Sequence, residues 1–253
     1  YNGSSNTFLG WNWRANGGTT ASNGTGDITS TVQADPSGCF SIVTYTGSGT
    51  AGDTIGHGLS TTPDMIMIKN RSSVDSWAVY HSSLGNTIHF ALDTDAAQVT
   101  SSAYWNSTSP TSSVFTVGTG DALNQSTKNY VAYCFANTEG YIKSGLYTGN
   151  GSTDGTFIYT GFRPKFIMMK RTNRSGDYWY IIDPVRNPYN GPGSLLLNPD
   201  RGVGESGNAT TDVIDILSNG WKMRTSGSGL NGSGGEWIWL AMAHNPFKYA
   251  TAR

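Results

Sequence analysis

Charge is scarce in this chain. Only 13% of its 253 residues are Asp, Glu, Lys or Arg, split as 17 acidic and 16 basic for a formal net charge of −1. No basic run interleaves with aromatics, which makes nucleic acid a poor partner. Long apolar runs are also missing. The longest, residues 65–68 and 238–243, fall far short of the ~20 residues that a helical span needs, so membrane insertion is not expected. There are 2 cysteines, Cys39 and Cys134, too few for a disulfide framework. Two reduced, buried thiols are expected, with a single bridge as the alternative. No signal-peptide pattern is present and the chain opens on Tyr1, so a fragment, a processed product or the ordered part of something longer is expected. Ala, Glu, Lys and Leu are thin at heptad spacing, which excludes a coiled coil, and the 33 Gly follow no period of three, which excludes collagen.

What is present is aromatic and turn-forming. The 8 Trp and 13 Tyr exclude a disordered chain. Thr, Tyr, Trp, Phe, Val and Ile fit pleated surfaces, while Gly, Asn, Asp and Ser build the turns between them. The composition therefore predicts an all-β protein. Low charge with many short polar side chains is common in extracellular and virion surface proteins.

The chain also repeats itself. Phe40-Ser41-Ile42-Val43-Thr44-Tyr45-Thr46-Gly47 is echoed by Lys143-Ser144-Gly145-Leu146-Tyr147-Thr148-Gly149, with Tyr45 and Tyr147 102 residues apart. Met65-Ile66-Met67-Ile68-Lys69 is echoed by Phe166-Ile167-Met168-Met169-Lys170, and Trp77-Ala78-Val79-Tyr80 by Trp179-Tyr180-Ile181-Ile182. Tyr130-Val131-Ala132-Tyr133-Cys134-Phe135-Ala136 is echoed by Trp237-Ile238-Trp239-Leu240-Ala241-Met242-Ala243 at an offset of 107. A period of this size is that of a domain rather than a solenoid turn. In the 130–136 and 237–243 runs both period-two faces are apolar, so each strand is expected to be covered on both sides. Short strands with turns every 8–12 positions predict about seven strands per unit, in a β-sandwich. Ser218-Asn219-Gly220 reads as a hairpin turn. The only helical turn suggested lies at residues 95–100.

The expected architecture is two tandem antiparallel β-sandwich units, jelly-roll or Ig-like, at 38–138 and 139–253. Residues 1–37 precede them as a strand and an extended arm. Thr7-Phe8-Leu9-Gly10-Trp11-Asn12-Trp13 looks like the last strand of each unit, so it could be the tail of a preceding copy.

Several strings carry a family resemblance: Gly56-His57-Gly58-Leu59, Trp77-Ala78-Val79-Tyr80-His81-Ser82-Ser83-Leu84-Gly85, Tyr130-Val131-Ala132-Tyr133-Cys134-Phe135-Ala136, Tyr147-Thr148-Gly149-Asn150-Gly151-Ser152, Ser218-Asn219-Gly220-Trp221 and Asn245-Pro246-Phe247-Lys248. From about Phe40 to Lys248 the sequence resembles an uncharacterised tandem-repeat domain family found in marine phage virion and tail-fibre-like proteins. That resemblance implies a phage structural or adhesion role, a virion location, and copies of itself and other virion proteins as partners. It brings no catalytic residues with it.

His57, His81, His89 and His244 lie in no Gly-x-Ser-x-Gly or His-x-x-x-His pattern and read as structural or exposed. Lys69 and Lys170 each follow an apolar run and read as strand exits. The acids are scattered beside turn residues, so a glycan depolymerase with two opposed carboxylates is the rival reading rather than the first. Asp93-Thr94-Asp95 places two carboxylates in a loop that could hold calcium, with turn capping as the alternative. For carbohydrate binding, sugar CH faces pack on aromatic rings while Asn bonds hydroxyls. This points to Tyr104, Trp105 and Asn106 in the polar stretch 101–112, and to Tyr189 and Asn190 in the loop 186–193. Loop anchoring or subunit contact is the alternative for these residues. The expectation is a non-enzymatic virion component without cofactor that assembles with itself and contacts host glycans, the other rival being a purely structural filament or decoration protein.

Overall fold

The computed structural model describes residues 10, 12–13, 15, 18–186, 190, 195–207 and 213–244. The expected opening strand at residues 7–13 therefore lies largely outside the described residues.

The protein is nearly all β. The first half runs β1 (Ala21–Asn23), β2 (Ser30–Ala34), β3 (Phe40–Thr46), β4 (Thr54–Gly56), β5 (Met65–Asn70), β6 (Ala78–His81), β7 (Ile88–Ala91), β8 (Val99–Thr100), α1 (Ser102–Trp105), β9 (Val114–Thr116), α2 (Asp121–Asn124) and β10 (Asn129–Phe135). The second half runs β11 (Ile142–Thr148), β12 (Phe157–Tyr159), β13 (Pro164–Arg171), β14 (Trp179–Ile182), β15 (Leu195–Leu196), β16 (Ser206–Gly207), β17 (Ile214–Leu217), β18 (Gly220–Met223) and β19 (Glu236–Ala243). The helical turns fall at α1 and α2, and residues 95–100 hold none, which corrects the sequence expectation. Ser101 Oγ caps α1 by accepting from the Ala103 amide, and Asn106 ends it at φ 49°.

Two large antiparallel sheets dominate. One orders its strands β1-β2-β3-β10-β5-β6-β7-β8, the other β11-β19-β13-β14. Strands that echo one another in sequence occupy matching places: β3-β10-β5-β6 in one, β11-β19-β13-β14 in the other. The registers match too, since Tyr45 pairs with Tyr130 and Tyr147 with Trp237. Each pair stacks with ring centroids 5.2 Å apart.

The period-two pattern of these strands builds three cores. Val43, Ile66, Ile68, Tyr130, Ala132 and Cys134 face β4 and β9 through Ile55 and Phe115. Ile167, Met169, Trp237, Trp239 and Ala241 face β12, β17 and β18 through Ile158, Ile216 and Trp221. Between the two large sheets, Phe40, Met65, Val79 and Phe135 meet Ile142, Phe166, Ile181 and Met242. The result is four stacked layers with the large sheets in the middle, which is why β10 and β19 are apolar on both faces.

Residues 21–34, within the expected arm, do not behave as a free segment. β1 and β2 extend the first sheet by pairing onto β3 of the same chain. Val32 is 6% exposed in the first core, and Ser30 Oγ donates to the Gly56 carbonyl at 2.7 Å. Weak patterning hid this because β1 is exposed on most of its length. The hairpin at Ser218 and Asn219 joins β17 to β18 with Leu217 opposite Gly220. Gly220 is required there, because a Cβ would lie 2.0 Å from the Ile158 carbonyl oxygen. Cys39 and Cys134 are free and buried, on opposite faces of the first sheet.

Candidate functional site

The histidines are built into the framework. Buried His57 accepts from the Leu59 amide at Nδ1, and its Nε2 lies 3.1 Å from the Thr111 carbonyl. Desolvation lowers its pKa. His81 sits between the large sheets, with Nε2 3.3 Å from the Trp239 carbonyl and Nδ1 accepting from Ser83. Burial pushes its pKa down to about 4. His89 is held at about 4 by the same cause. Lys69 and Lys170 each donate from Nζ to a main-chain carbonyl in the following loop, that of Asp75 and Asp177 respectively. Burial lowers the Lys170 pKa.

The acids named for calcium each make a long-range contact to the main chain. Asp93 Oδ1 accepts from the Trp77 amide at 3.1 Å, and the Asp95 carbonyl accepts from the Gly176 amide at 3.0 Å. Among the described residues no three His, Cys, Asp or Glu side chains gather as a metal site. Other carboxylates pair with bases: Asp177 with Arg174 at 2.6 Å, Asp183 with Arg186 at 2.7 Å, Asp215 with Arg224 at 2.5 Å.

The structure separates the aromatic candidates. Trp105 is 1% exposed, packs edge-on against Tyr80 at 5.5 Å and belongs to the first core. A sugar cannot stack on it, which corrects the sequence assignment: a polar stretch surrounds it, but α1 turns the indole inward. The half-buried Tyr104 ring is stacked on His89 with centroids 3.3 Å apart. Asn106 serves as the left-handed cap of α1. Asn190 anchors its loop, donating to the Ile216 carbonyl at 3.0 Å and accepting from the Ile216 amide at 2.9 Å. Tyr189 lies outside the described residues.

An exposed aromatic ridge lies elsewhere, on β12. Phe157 and Tyr159 are 43% and 57% exposed, while Ile158 between them is buried in the second core. The alternation follows from the strand pleat: one face of β12 closes the sandwich and the other presents two rings to solvent. Lys143 fixes the ridge. Its Nζ donates to the Tyr159 carbonyl at 3.2 Å and lies 4.8 Å from the ring centroid. Gly161, at φ 86°, bends the chain under the phenol, where a Cβ would come within 3.5 Å of the hydroxyl oxygen. A groove of about 290 Å³ runs beside Tyr159, lined also by Asn137, Glu139, Lys143 and Thr160. Asn137 Oδ1 accepts from the Ser144 amide and hydroxyl, which leaves Nδ2 as a donor at the groove. That both aromatics face outward could not be read from the sequence, because Phe-Ile-Tyr buries either face equally well.

These features define a layered antiparallel β protein that offers a solvent-facing aromatic platform with hydroxyl, amide, carboxylate and ammonium groups along one flank. The chain belongs to a family described as a domain of unknown function (DUF7483), which matches it over residues 1–246. One family unit thus takes in both halves and the strands before them. No curated protein and no solved structure matches the chain.

Proposed function

We propose that the protein is a non-enzymatic component of a phage virion surface, in a tail fibre, tail or capsid. In this reading it assembles with copies of itself and touches host glycans through the β12 ridge. The observation that carries the glycan contact is the pair of outward rings, Phe157 and Tyr159, beside a groove with polar side chains. Aromatic faces pack on sugar CH surfaces, and the flanking Asn137 and Lys143 bond hydroxyls. One such contact is weak, and many copies on a particle raise it by avidity. The sequence resemblance supports the virion setting, and the two repeated halves read as copies of one unit.

The rival depolymerase needs two carboxylates facing across a sugar. The β12 groove is lined by one, Glu139. A glycan array probed with the protein at multivalent density tests the proposal. Binding that survives in the wild type and falls at least tenfold in Tyr159→Ala, with unchanged folding, supports it. No binding to any glycan favours the purely structural rival, and release of sugar from the array favours the depolymerase.

A further inference from the structure

The two large sheets do not close along their whole length. Beyond Phe40, Met65 and Phe135 they diverge around a cleft of about 470 Å³, within the range of small-molecule sites. Met67, Trp77, Leu92 and Tyr133 line it from the first half, Met168 and Leu240 from the second, and Asn12 and Trp13 from the N-terminal segment. Among the described residues, no ionisable acid or base other than the Tyr133 phenol lines it.

The repeat reveals what is missing. Trp77 and Trp179 are equivalent, and each main-chain amide donates to an aspartate, Asp93 or Asp200, at 3.1 Å. Trp179 is fully buried. Phe90 packs edge-on against it at 6.4 Å, and its Nε1 donates to the Ala91 carbonyl at 2.9 Å. Trp77 stays half-exposed in the cleft, stacked on Tyr133 at 6.1 Å, and its indole N–H meets no acceptor among the described residues. What covers one indole is thus an apolar body carrying a single carbonyl oxygen, and the other indole lacks that cover.

We infer that this cleft binds a neutral acyl compound, a hydrocarbon chain with one carbonyl oxygen that accepts from Trp77 Nε1. A sugar would bury most of its hydroxyls against Met, Leu and Ile side chains, with the Asn12 amide the one side-chain amide among the described lining residues, and a carboxylate would meet no cation among them. The thioethers of Met67 and Met168 adapt to a chain of variable shape. The chemistry is shared by a membrane acyl ester and a free small ester, which the test separates.

Full-length protein is titrated with the fluorophore N-phenyl-1-naphthylamine, then with methyl decanoate, sodium decanoate and vesicles of a neutral phosphatidylcholine. Fluorophore binding that methyl decanoate displaces, with decanoate weaker, is expected. Displacement by vesicles as well identifies a lipid source, and displacement by the free ester alone a soluble one. Trp77→Phe keeps the ring and removes the donor, so it should weaken methyl decanoate by about two- to tenfold and leave the fluorophore unchanged. Met67→Arg and Leu92→Arg, both at half-buried positions, should each abolish both, with circular dichroism and melting checking the fold. Fluorophore binding equal in wild type and either arginine variant overturns the site. An unchanged ester affinity in Trp77→Phe overturns the carbonyl contact, and absence of fluorophore binding to the wild type overturns the inference outright.

Discussion

Replacing Asn231 by Ala tests how the loops are held to the sandwich. Asn231 is fully buried, and its Nδ2 reaches the Ser152 and Thr225 carbonyls, each at 2.8 Å. It also donates to Asn150 Oδ1 at 2.9 Å, while Asn231 Oδ1 accepts from the Asn150 amide at 3.2 Å. Asn124 does the same work in the first half. Its Nδ2 donates to the Thr50 and Gly118 carbonyls at 2.9 and 2.8 Å, and its Oδ1 accepts from the Ser48 amide at 2.9 Å. Alanine strands at least two carbonyls and an amide at either place. Each stranded buried group costs about 1–3 kcal/mol, and the part-buried loops favour the low end, so each variant should lose about 3 kcal/mol. For a chain of this size that is a fall in Tm of about 6–12 °C. The two sites serve different cores and share no partner, so the double variant should lose the sum to within about 0.5 kcal/mol. Urea unfolding followed by tryptophan fluorescence measures all three. A loss below about 1 kcal/mol in both single variants, or a large loss in only one, would refute the claim that equivalent amides pin equivalent loops.

Two further predictions concern buried ionisable groups. His81 has a folded pKa of about 4, below its ordinary 6.5, so the unfolded chain binds the extra proton between these values. The stability it contributes is therefore complete above pH 6.5 and is lost as the pH falls towards 4. The loss should approach about 3 kcal/mol; His81→Gln should flatten that part of the stability profile, and an unflattened profile would place the acid sensitivity elsewhere. Burial raises the Cys39 and Cys134 thiols to about 12 each. Both should resist Ellman's reagent at pH 8 in the native protein and both react in denaturant; rapid native modification of either would contradict the packing.

Local composition and periodicity carried much of the fold. Period-two runs of Met, Ile, Trp and Tyr can satisfy their backbone and bury both faces only inside stacked sheets, so the all-β class and the doubly covered strands β10 and β19 followed from the sequence. The offsets near 102 and 107 matched the strands that later proved equivalent in place. The sequence could not tell that residues 21–34 extend a sheet, because their edge strand β1 carries no apolar signal and is fixed by pairing to β2, which in turn pairs with β3.

Side-chain direction was the other thing only tertiary packing decided. Trp105 stands among polar neighbours, yet α1 rotates its indole into the first core, while Phe157 and Tyr159 look like core residues and face water. A strand or a turn specifies which residues share a face. Which face is covered depends on neighbours distant in the chain, as when Ala91 covers Trp179 while Trp77 stays half-exposed. The sequence by itself therefore determined the all-β class and which strands are apolar on both faces, and the tertiary structure alone determined how the sheets stack and where they stay open.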